Sequence, residues 1–249
     1  MRSKRVKMSW IVIFAMAINA GIRNIQASLN QSETSVQLAF IVPEDTSYLF
    51  CRDRVQPAIE IAQDRISRDQ LLPGVDFNVR YSDSKCDSVQ APLAAFNFFH
   101  EHQADVFMGP VCDYSLAPVA RYSPYWNIPV ITPGGMAHDF GANKTAPNAE
   151  YAMLTRVGWS FDTLSEFTAS IISHYDWRSI KLLYNSTGHS DVTHNFCYLF
   201  MNALISHLRD VSTLDFDVAM FNNQEHLPQE IPRKLTIDVA RYAGKYRVN

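Results

Sequence analysis

The sequence predicts an α/β protein in which parallel sheets carry helices on both faces. Short apolar runs alternate with segments of helical periodicity from about residue 36 onward. The segments that join successive strands are too long for hairpins, which favours parallel pairing. With 249 residues, of which 47% are hydrophobic and 19% charged, the chain has the composition of one large or two small globular domains.

The first set of elements covers residues 36–135. Strands are predicted at VQLAFIVP, FNVRY, DVFMGP and IPVITPGG, with a turn at LLPGVDF. Helices are predicted through Val55, Ile59, Ala62 and Ile66, through Val89, Leu93 and Phe96, and from Ser115 to Tyr125. Pro57 and Pro118 are each expected near the start of a helix, where a missing amide proton breaks no helical hydrogen bond.

A second set of elements follows a crossover near residues 157–161. A strand at YAMLTRV and a helix through Leu164, Phe167 and Ile171 lead into it. Strands SIKLLYN and LDFDVAMF then flank a helix marked by Phe196, Phe200, Ala203 and His207. Asp215 and Asp217 lie two positions apart on a strand and share a face, which we expect to be solvated. In the last segment, IPRKLTIDVARYAGKYRVN, a helical pattern stops where YRVN begins a strand pattern, so we expect a truncated chain.

The first residues have the features of a secretory signal peptide. A short apolar stretch, MSWIVIFAMAINA, follows Arg2, Lys4, Arg5 and Lys7, and it is shorter than the roughly 20 residues that span a membrane. We predict a signal peptide over residues 1–27, with cleavage after Ala17, Ala20 or Ala27. An uncleaved signal anchor is the alternative. Secretion makes the sequons at Asn143 and Asn185 candidate glycosylation sites, and a third sequon at Asn30 lies close to the cleavage site.

Several function classes lack their sequence signatures. The formal net charge is −3, without the clustered basic face of a nucleic-acid-binding protein. The chain contains no Walker-type loop, no G-x-G-x-x-G and no G-x-S-x-G motif, which argues against a secreted enzyme with a Rossmann-like core. The histidines, including His174, His189, His194 and His207, lack metal-ligand spacing, so we predict no metal site.

The stretch FMGPVCDYSLAPVAR raises the question of what Cys112 does at the end of a strand. A cysteine there is a candidate nucleophile, metal ligand, disulfide partner or core residue. A nucleophile needs a nearby base, and the sequence identifies none. In an oxidising compartment the cysteines of this chain, Cys51, Cys86, Cys112 and Cys197, are expected to pair.

Five stretches of the chain resemble the natriuretic peptide receptors, the extracellular ligand-binding regions of membrane guanylyl cyclases and of their clearance relative. They are SYLFCRDRVQPAIEIA, YSDSKC, FMGPVCDYSLAPVARY, WNIPVITPGG and EYAMLTRV, and the similarity extends from Val36 to Leu208. The resemblance implies a type I periplasmic-binding-protein-like fold of two doubly wound parallel-sheet lobes. The first lobe is then residues 28–158, and residues 159–249 form an incomplete second lobe.

The resemblance also implies chemistry at the turn around Cys112. In the family this cysteine is bonded to one that corresponds to Cys86; two free buried cysteines are the alternative. The family binds chloride at the same turn through two backbone amides and a serine hydroxyl. The amides correspond to Val111 and Cys112. The serine corresponds to Ser84, with Ser82 as the second candidate.

Further roles are implied by position in the family motifs. The hormone contacts correspond to Tyr114, Arg121, Glu150, Tyr151 and Tyr198, with ordinary packing as the alternative for each. Phe99, His100 and Tyr125 correspond to positions near the dimer contact of the family. Cys51 stands where the family does not usually have a cysteine, and the expected partner of Cys197 lies beyond this chain. We predict that both are unpaired; a Cys51–Cys197 bond is the alternative.

We therefore expect a peptide-hormone-binding region that works as a homodimer. It would have no cofactor other than a chloride ion, no nucleic-acid partner and no catalysis of its own. Cyclase activity would belong to a cytoplasmic region, and the membrane would be reached only through a missing C-terminal segment. The chain would then lie on the extracellular face of the plasma membrane, or be secreted. A small-molecule receptor lobe of the amino-acid type is the alternative function.

Overall fold

The computed structural model of the chain describes residues 34–209, 211, 213–221, 232, 236 and 237. The predicted signal peptide and Asn30 lie outside the described residues, as does nearly all of the C-terminal helix pattern. The chain divides into two compact units. One unit comprises residues 1–36 and 62–78, and the other comprises residues 37–61 and 79–249.

Strands and helices alternate along the chain as predicted. The strands are β1 (Thr34–Val42), β2 (Val75–Asp83), β3 (Val106–Met108), β4 (Val130–Thr132), β5 (Leu154–Arg156), β6 (Ser179–Asn185) and β7 (Asp215–Phe221). The helices are α1 (Arg52–Arg68), α2 (Gln90–His100), α3 (Asp113–Trp126), α4 (Phe161–His174) and α5 (Phe196–Arg209). A 3-10 helix at His138–Gly141 lies between β4 and β5.

The strands form two sheets. A five-stranded sheet has the order β2-β1-β3-β4-β5, and β6 pairs with β7 in a second sheet. The pairs β1–β3, β3–β4, β4–β5 and β6–β7 are parallel, which confirms the predicted fold class. The strand order changes direction between β1 and β3, and ligands of open α/β sheets bind outside the carboxyl ends of strands at such a point.

The first of the two compact units is a small assembly around the start of β2. The amide of Thr34 donates to the carbonyl of Gly74 at 2.8 Å, and the side-chain amide of Gln63 donates to the carbonyl of Phe77 at 3.0 Å. Residues between Gln63 and Phe77 border an open cavity of about 560 Å³. All the predicted site residues belong to the other unit.

The core of the five-stranded sheet contains apolar residues from neighbouring strands and from α2 and α3. Ile41, Phe107, Val130 and Leu154 are each at most 1% exposed. The buried face of α2 consists of Ala91, Ala94, Ala95 and Phe98. The spacing of Val89, Leu93 and Phe96 predicted this helix, and the structure contains it, but these three residues are at least 50% exposed. Three alanine side chains let the helix pack closely, and Phe98 is the one large residue on this buried face.

The β6–β7 sheet packs against α4 and α5. Ile172, Met201, Leu204 and Leu208 form its buried cluster. A separate cluster surrounds Phe161, whose ring meets that of Phe196 edge-on at 5.0 Å. Phe167, which was predicted to belong to the inner face of α4, is 61% exposed, because the helix turns Phe161, Ser165 and Ile172 inward instead.

Two of the helical prolines, Pro57 and Pro118, lie deeper in their helices than the sequence pattern predicted. Because α1 begins at Arg52 and α3 at Asp113, Pro57 and Pro118 fall in the second turn. Each removes the donor that would otherwise bond the carbonyl four residues earlier. Those carbonyls belong to Asp53 and Tyr114, which are exposed residues, so water can replace the lost hydrogen bond.

Candidate functional site

The turn after β3 is closed by a disulfide bond. Cys112 is bonded to Cys86, with Cα atoms 5.4 Å apart, which confirms the pairing that the family resemblance implied. Cys112 is also the N-cap of α3, and its carbonyl accepts hydrogen bonds from the amides of Ser115 and Leu116. The bond therefore attaches the loop after β2 to the first turn of α3.

Two backbone amides in this turn have no protein acceptor among the described residues. They belong to Val111 and Cys112, which are 5% and 3% exposed. Ser84, on the loop that carries Cys86, is 1% exposed. Its Oγ accepts a hydrogen bond from the Cys86 amide at 3.3 Å, and its amide donates to the carbonyl of Val42 at 3.1 Å. Its hydroxyl proton thus remains available to a further acceptor.

The segment after β4 holds the turn from the other side. The hydroxyl of Thr132 donates to the carbonyl of Pro110 at 2.7 Å and accepts from the amide of Gly134 at 3.0 Å. A Cβ atom at Gly134 would lie only 1.9 Å from the carbonyl oxygen of Val111. Residue 134 must therefore be glycine for β4 and the turn to approach this closely.

Asp113 is a buried acid directly after the disulfide. Its side chain accepts a hydrogen bond from the amide of Ala137 at 2.8 Å and one from the hydroxyl of Thr193 at 3.4 Å. Burial raises the pKa of the Asp113 carboxyl above its usual range, although these hydrogen bonds oppose the shift. The carboxylate joins α3 to the segments before the 3-10 helix and before α5.

A polar cluster lies along the exposed side of α3. The guanidinium of Arg121 forms an ion pair with Glu150 and donates to the hydroxyl of Tyr151 at 3.1 Å. It also lies over the Tyr151 ring, 5.6 Å from the centroid. Hydrogen bonding to Glu150 raises the pKa of Arg121, and burial raises the pKa of Tyr151.

A cavity of about 430 Å³ lies beside this cluster. Three residues expected to contact a hormone line it: Tyr114, Arg121 and Tyr151. The remaining lining residues are Ser88, Asp113, Ala117, Pro118, Ala137, Asp139, Phe140 and Leu199. The wall thus combines residues of α3, the 3-10 helix and α5, and its mixture of aromatic, apolar and charged groups is typical of a ligand site.

Two other predicted contact residues lie outside the lining of this cavity. Glu150 joins the site through its ion pair with Arg121, and Tyr198, on α5, is 39% exposed. In the sequons at Asn143 and Asn185, the asparagine Oδ1 accepts hydrogen bonds from the amide and hydroxyl of the threonine two residues later. Asn143 is exposed and Asn185 is half-buried at the end of β6. Their glycosylation stays a prediction.

The structure also brings together residues that the sequence analysis did not connect. Three side chains each offer an atom that could bind a metal ion, and these three atoms lie within 4.8 Å of one another. The residues are His138, Asp162 and His207. These residues come from the 3-10 helix, α4 and α5. Local spacing could not reveal this cluster, nor the contact between Asp113 and Thr193, because each depends on segments that meet only in the folded chain.

Cys51 and Cys197 are both free thiols in the structure. Cys51 is fully buried, and burial raises the pKa of the Cys197 thiol.

Among the residues that the structure describes, no helix combines the length and apolar character needed to cross a membrane.

Comparison with known proteins identifies the family. The sequence profile of the receptor family ligand binding region, ANF_receptor, matches residues 54–243. Atrial natriuretic peptide receptor 3 of Rattus norvegicus is 32% identical over 183 residues, which cover 68% of this chain and 31% of that protein. Atrial natriuretic peptide receptor 2 of Rattus norvegicus is 34% identical over 166 residues, which cover 65% of this chain and 15% of that protein. The chain therefore spans about a third or less of the length of these relatives.

A solved structure with a similar fold is the ABC transporter substrate-binding protein from Desulfitobacterium hafniense in complex with Leu. It has a TM-score of 0.63 at 13% identity, with 83% of this chain and 56% of that chain covered. This likeness confirms the periplasmic-binding-protein-like fold. Since the family profile matches most of the sequence, the chain belongs to the receptor family ligand binding region (ANF receptor) family and is a ligand-binding region, not a catalytic domain.

Proposed function

We propose that the chain is the extracellular peptide-hormone-binding region of a natriuretic-peptide-receptor-like, guanylyl-cyclase-coupled receptor. The observation that best supports this is the cavity bordered by Tyr114, Arg121 and Tyr151. Tyrosine and arginine are, with tryptophan, enriched among the few residues that dominate binding energy at protein interfaces. Tyr114 is 41% exposed and the side chain of Arg121 is 50% exposed, so both are open to a peptide.

The proposal includes a chloride ion at the turn after β3. The buried amides of Val111 and Cys112 and the hydroxyl of Ser84 are hydrogen-bond donors that suit an anion. An anion there would join the Cys86 loop to the start of α3. It would thereby hold Tyr114 and Arg121, which follow on the same helix, in place for the peptide.

We further propose that the receptor works as a homodimer through an exposed surface on α2 and α3, which we call the α2–α3 surface. It consists of Leu93, Phe96, His100, Tyr122 and Tyr125. Tyr125 is 87% exposed, and the His100 ring stacks on Phe96 with centroids 6.0 Å apart. Phe99 stacks on Trp126 at 5.3 Å and supports this surface from inside. Cyclase signalling would belong to another part of the receptor.

A small-molecule ligand is the second candidate function. The cavity volume of about 430 Å³ is in the range of small-ligand sites, and the bacterial neighbour was solved with leucine. Against this candidate, Arg121 is already neutralised by Glu150 and so offers less charge to a free carboxylate.

Titration of the chain with a fluorescent natriuretic peptide tests the main proposal. Arg121→Ala should weaken binding about tenfold, equivalent to about 1.4 kcal/mol. Tyr175→Ala, which removes a tyrosine that is 62% exposed outside the cavity lining, is the matched control and should bind normally. Binding of a free amino acid but not of the peptide would favour the second candidate.

A further inference from the structure

We propose that His138, Asp162 and His207 form a zinc site. Each residue comes from a different element, and one donor atom from each lies within 4.8 Å of the other two. Imidazole nitrogen and carboxylate oxygen are the ligands that Zn²⁺ accepts beside thiolate, at about 2.0–2.2 Å. Three protein ligands and a water molecule would complete a four-coordinate ion.

The environment of His207 supports this assignment. Its Nδ1 lies 3.0 Å from the carbonyl oxygen of Ala203, one turn earlier in α5. A carbonyl can only accept, so Nδ1 holds a hydrogen, and in the neutral ring Nε2 then carries the lone pair. A backbone carbonyl on the second ring nitrogen is the usual arrangement for a metal-bound histidine, because it fixes the tautomer and the ring orientation.

The other two ligands already face each other. His138 Nδ1 lies 2.5 Å from Asp162 Oδ1 and shares a hydrogen with it. On metal binding this hydrogen would move to Nε2 in the other neutral tautomer, which frees Nδ1 and Oδ1 as ligands. Two ligands of a tetrahedral zinc lie roughly 3.4 Å apart, so the pair must open by about 1 Å. The side chain of His138 is 48% exposed and has room to make this movement.

Arg156 brings a positive charge beside Asp162 and limits the affinity. Its Nη2 lies 3.7 Å from Asp162 Oδ2, and its Nη1 donates to the carbonyl of Gly135 at 3.0 Å. The guanidinium is thus held on the Asp162 oxygen that faces away from the His138 contact. Gly141 packs against the same carboxylate, since a Cβ atom there would lie 3.0 Å from Asp162 Oδ2. These contacts fix the carboxylate before any ion binds.

The ion would connect the 3-10 helix to α4 and α5. His138 lies between Ala137 and Asp139, both of which line the cavity, and α5 contributes Leu199 to the same wall. Zinc would therefore fix the arrangement of this wall and stabilise the folded chain. The proposal depends only on the three ligands, so it stands or falls independently of the hormone proposal.

Calorimetric titration of the full chain with Zn²⁺ tests the site. We expect one zinc per chain, and at least about tenfold weaker binding in His138→Ala and in His207→Ala. His174→Ala, which removes an exposed histidine at the end of α4, is the matched control and should bind as the wild type does. Because His138 is half-exposed, its replacement should leave the circular dichroism spectrum unchanged.

A Co²⁺ titration gives a second readout. The visible absorption of four-coordinate Co²⁺ should appear in the wild type and in His174→Ala, and should be absent from His138→Ala. Wild-type zinc affinity in both His138→Ala and His207→Ala would overturn the proposal. So would zinc binding that survives in these variants but is abolished by alkylation of Cys197, because the ion would then be bound by the Cys197 thiol.

Discussion

The hydroxyl of Thr193 donates a hydrogen bond to the carboxylate of Asp113, at 3.4 Å, although the residues are 80 positions apart in the chain. Both side chains are buried, at 3% and 4% exposure. The bond joins the first turn of α3 to the segment that leads into α5. An acid buried at this junction makes the stability of the fold sensitive to pH.

Replacing Asp113 with Asn should remove a pH dependence of stability. Burial raises the folded-state pKa of Asp113 above its ordinary value of 3.8, so the folded chain holds this proton more tightly than the unfolded chain. Its stabilising contribution is therefore fully present below the ordinary pKa and is lost as pH rises through the raised pKa. Urea unfolding followed from below the ordinary pKa of 3.8 upward should show this decline in the wild type but not in Asp113→Asn. Asp191→Asn, at an exposed acid, is the control, and an equal effect of both changes would contradict the prediction.

Removing the Cys86–Cys112 bond should destabilise the chain by about 3 kcal/mol in the chain-entropy model. The bond closes a loop between residues 26 positions apart. The double variant Cys86→Ser/Cys112→Ser removes it without leaving a new free thiol, and denaturant unfolding measures the loss. Cys197→Ser changes a thiol that is already free and should have little effect. Peptide mapping without reductant of the wild type, expressed through an oxidising secretory pathway, should recover the bonded pair, and finding both cysteines as free thiols would refute the pairing.

Chloride should stabilise the chain more than gluconate does at the same ionic strength. Loss of the Ser84 hydroxyl should cost on the order of 1–3 kcal/mol of anion binding, because the acceptor is charged. The chloride dependence of the melting temperature should therefore shift to higher concentration in Ser84→Ala. Ser82→Ala, at the less buried alternative serine, should shift it less. Identical melting curves in chloride and gluconate would show that the turn binds no chloride.

Placing a charge on the α2–α3 surface should weaken self-association. Tyr125→Glu and His100→Glu each put an acid among exposed apolar residues, where burial at an interface would strand it without a partner. Sedimentation equilibrium should show at least about a tenfold weaker dimer for each, equivalent to about 1.4 kcal/mol. Tyr175→Glu makes the same change at a tyrosine that is 62% exposed elsewhere, and should sediment as the wild type does. If all three variants associate equally well, the dimer uses another surface.

Hydrophobic periodicity was sufficient to predict the alternation of strands and helices. The strands at VQLAFIVP, SIKLLYN and LDFDVAMF, for example, appear as β1, β6 and β7. Apolar runs and helical spacing are local properties, so they can be recognised without knowing what packs against them. The motif around Cys112 was equally informative, because its resemblance to a family implied the Cys86 pairing that the structure contains.

The tertiary structure decided which surfaces are buried and which side chains meet. Periodicity predicted a helix through Leu93 and Phe96, but it did not show which face of α2 is buried: these two residues are exposed, and Ala91, Ala94, Ala95 and Phe98 pack inward. The contact of Asp113 with Thr193 and the cluster of His138, Asp162 and His207 join segments far apart in sequence. Such contacts depend on how the loops and helices after β3, β4 and β6 are placed in space. The sequence by itself therefore determined the order of the elements and the disulfide motif, whereas only the packing of those elements could bring these side chains within reach of one another.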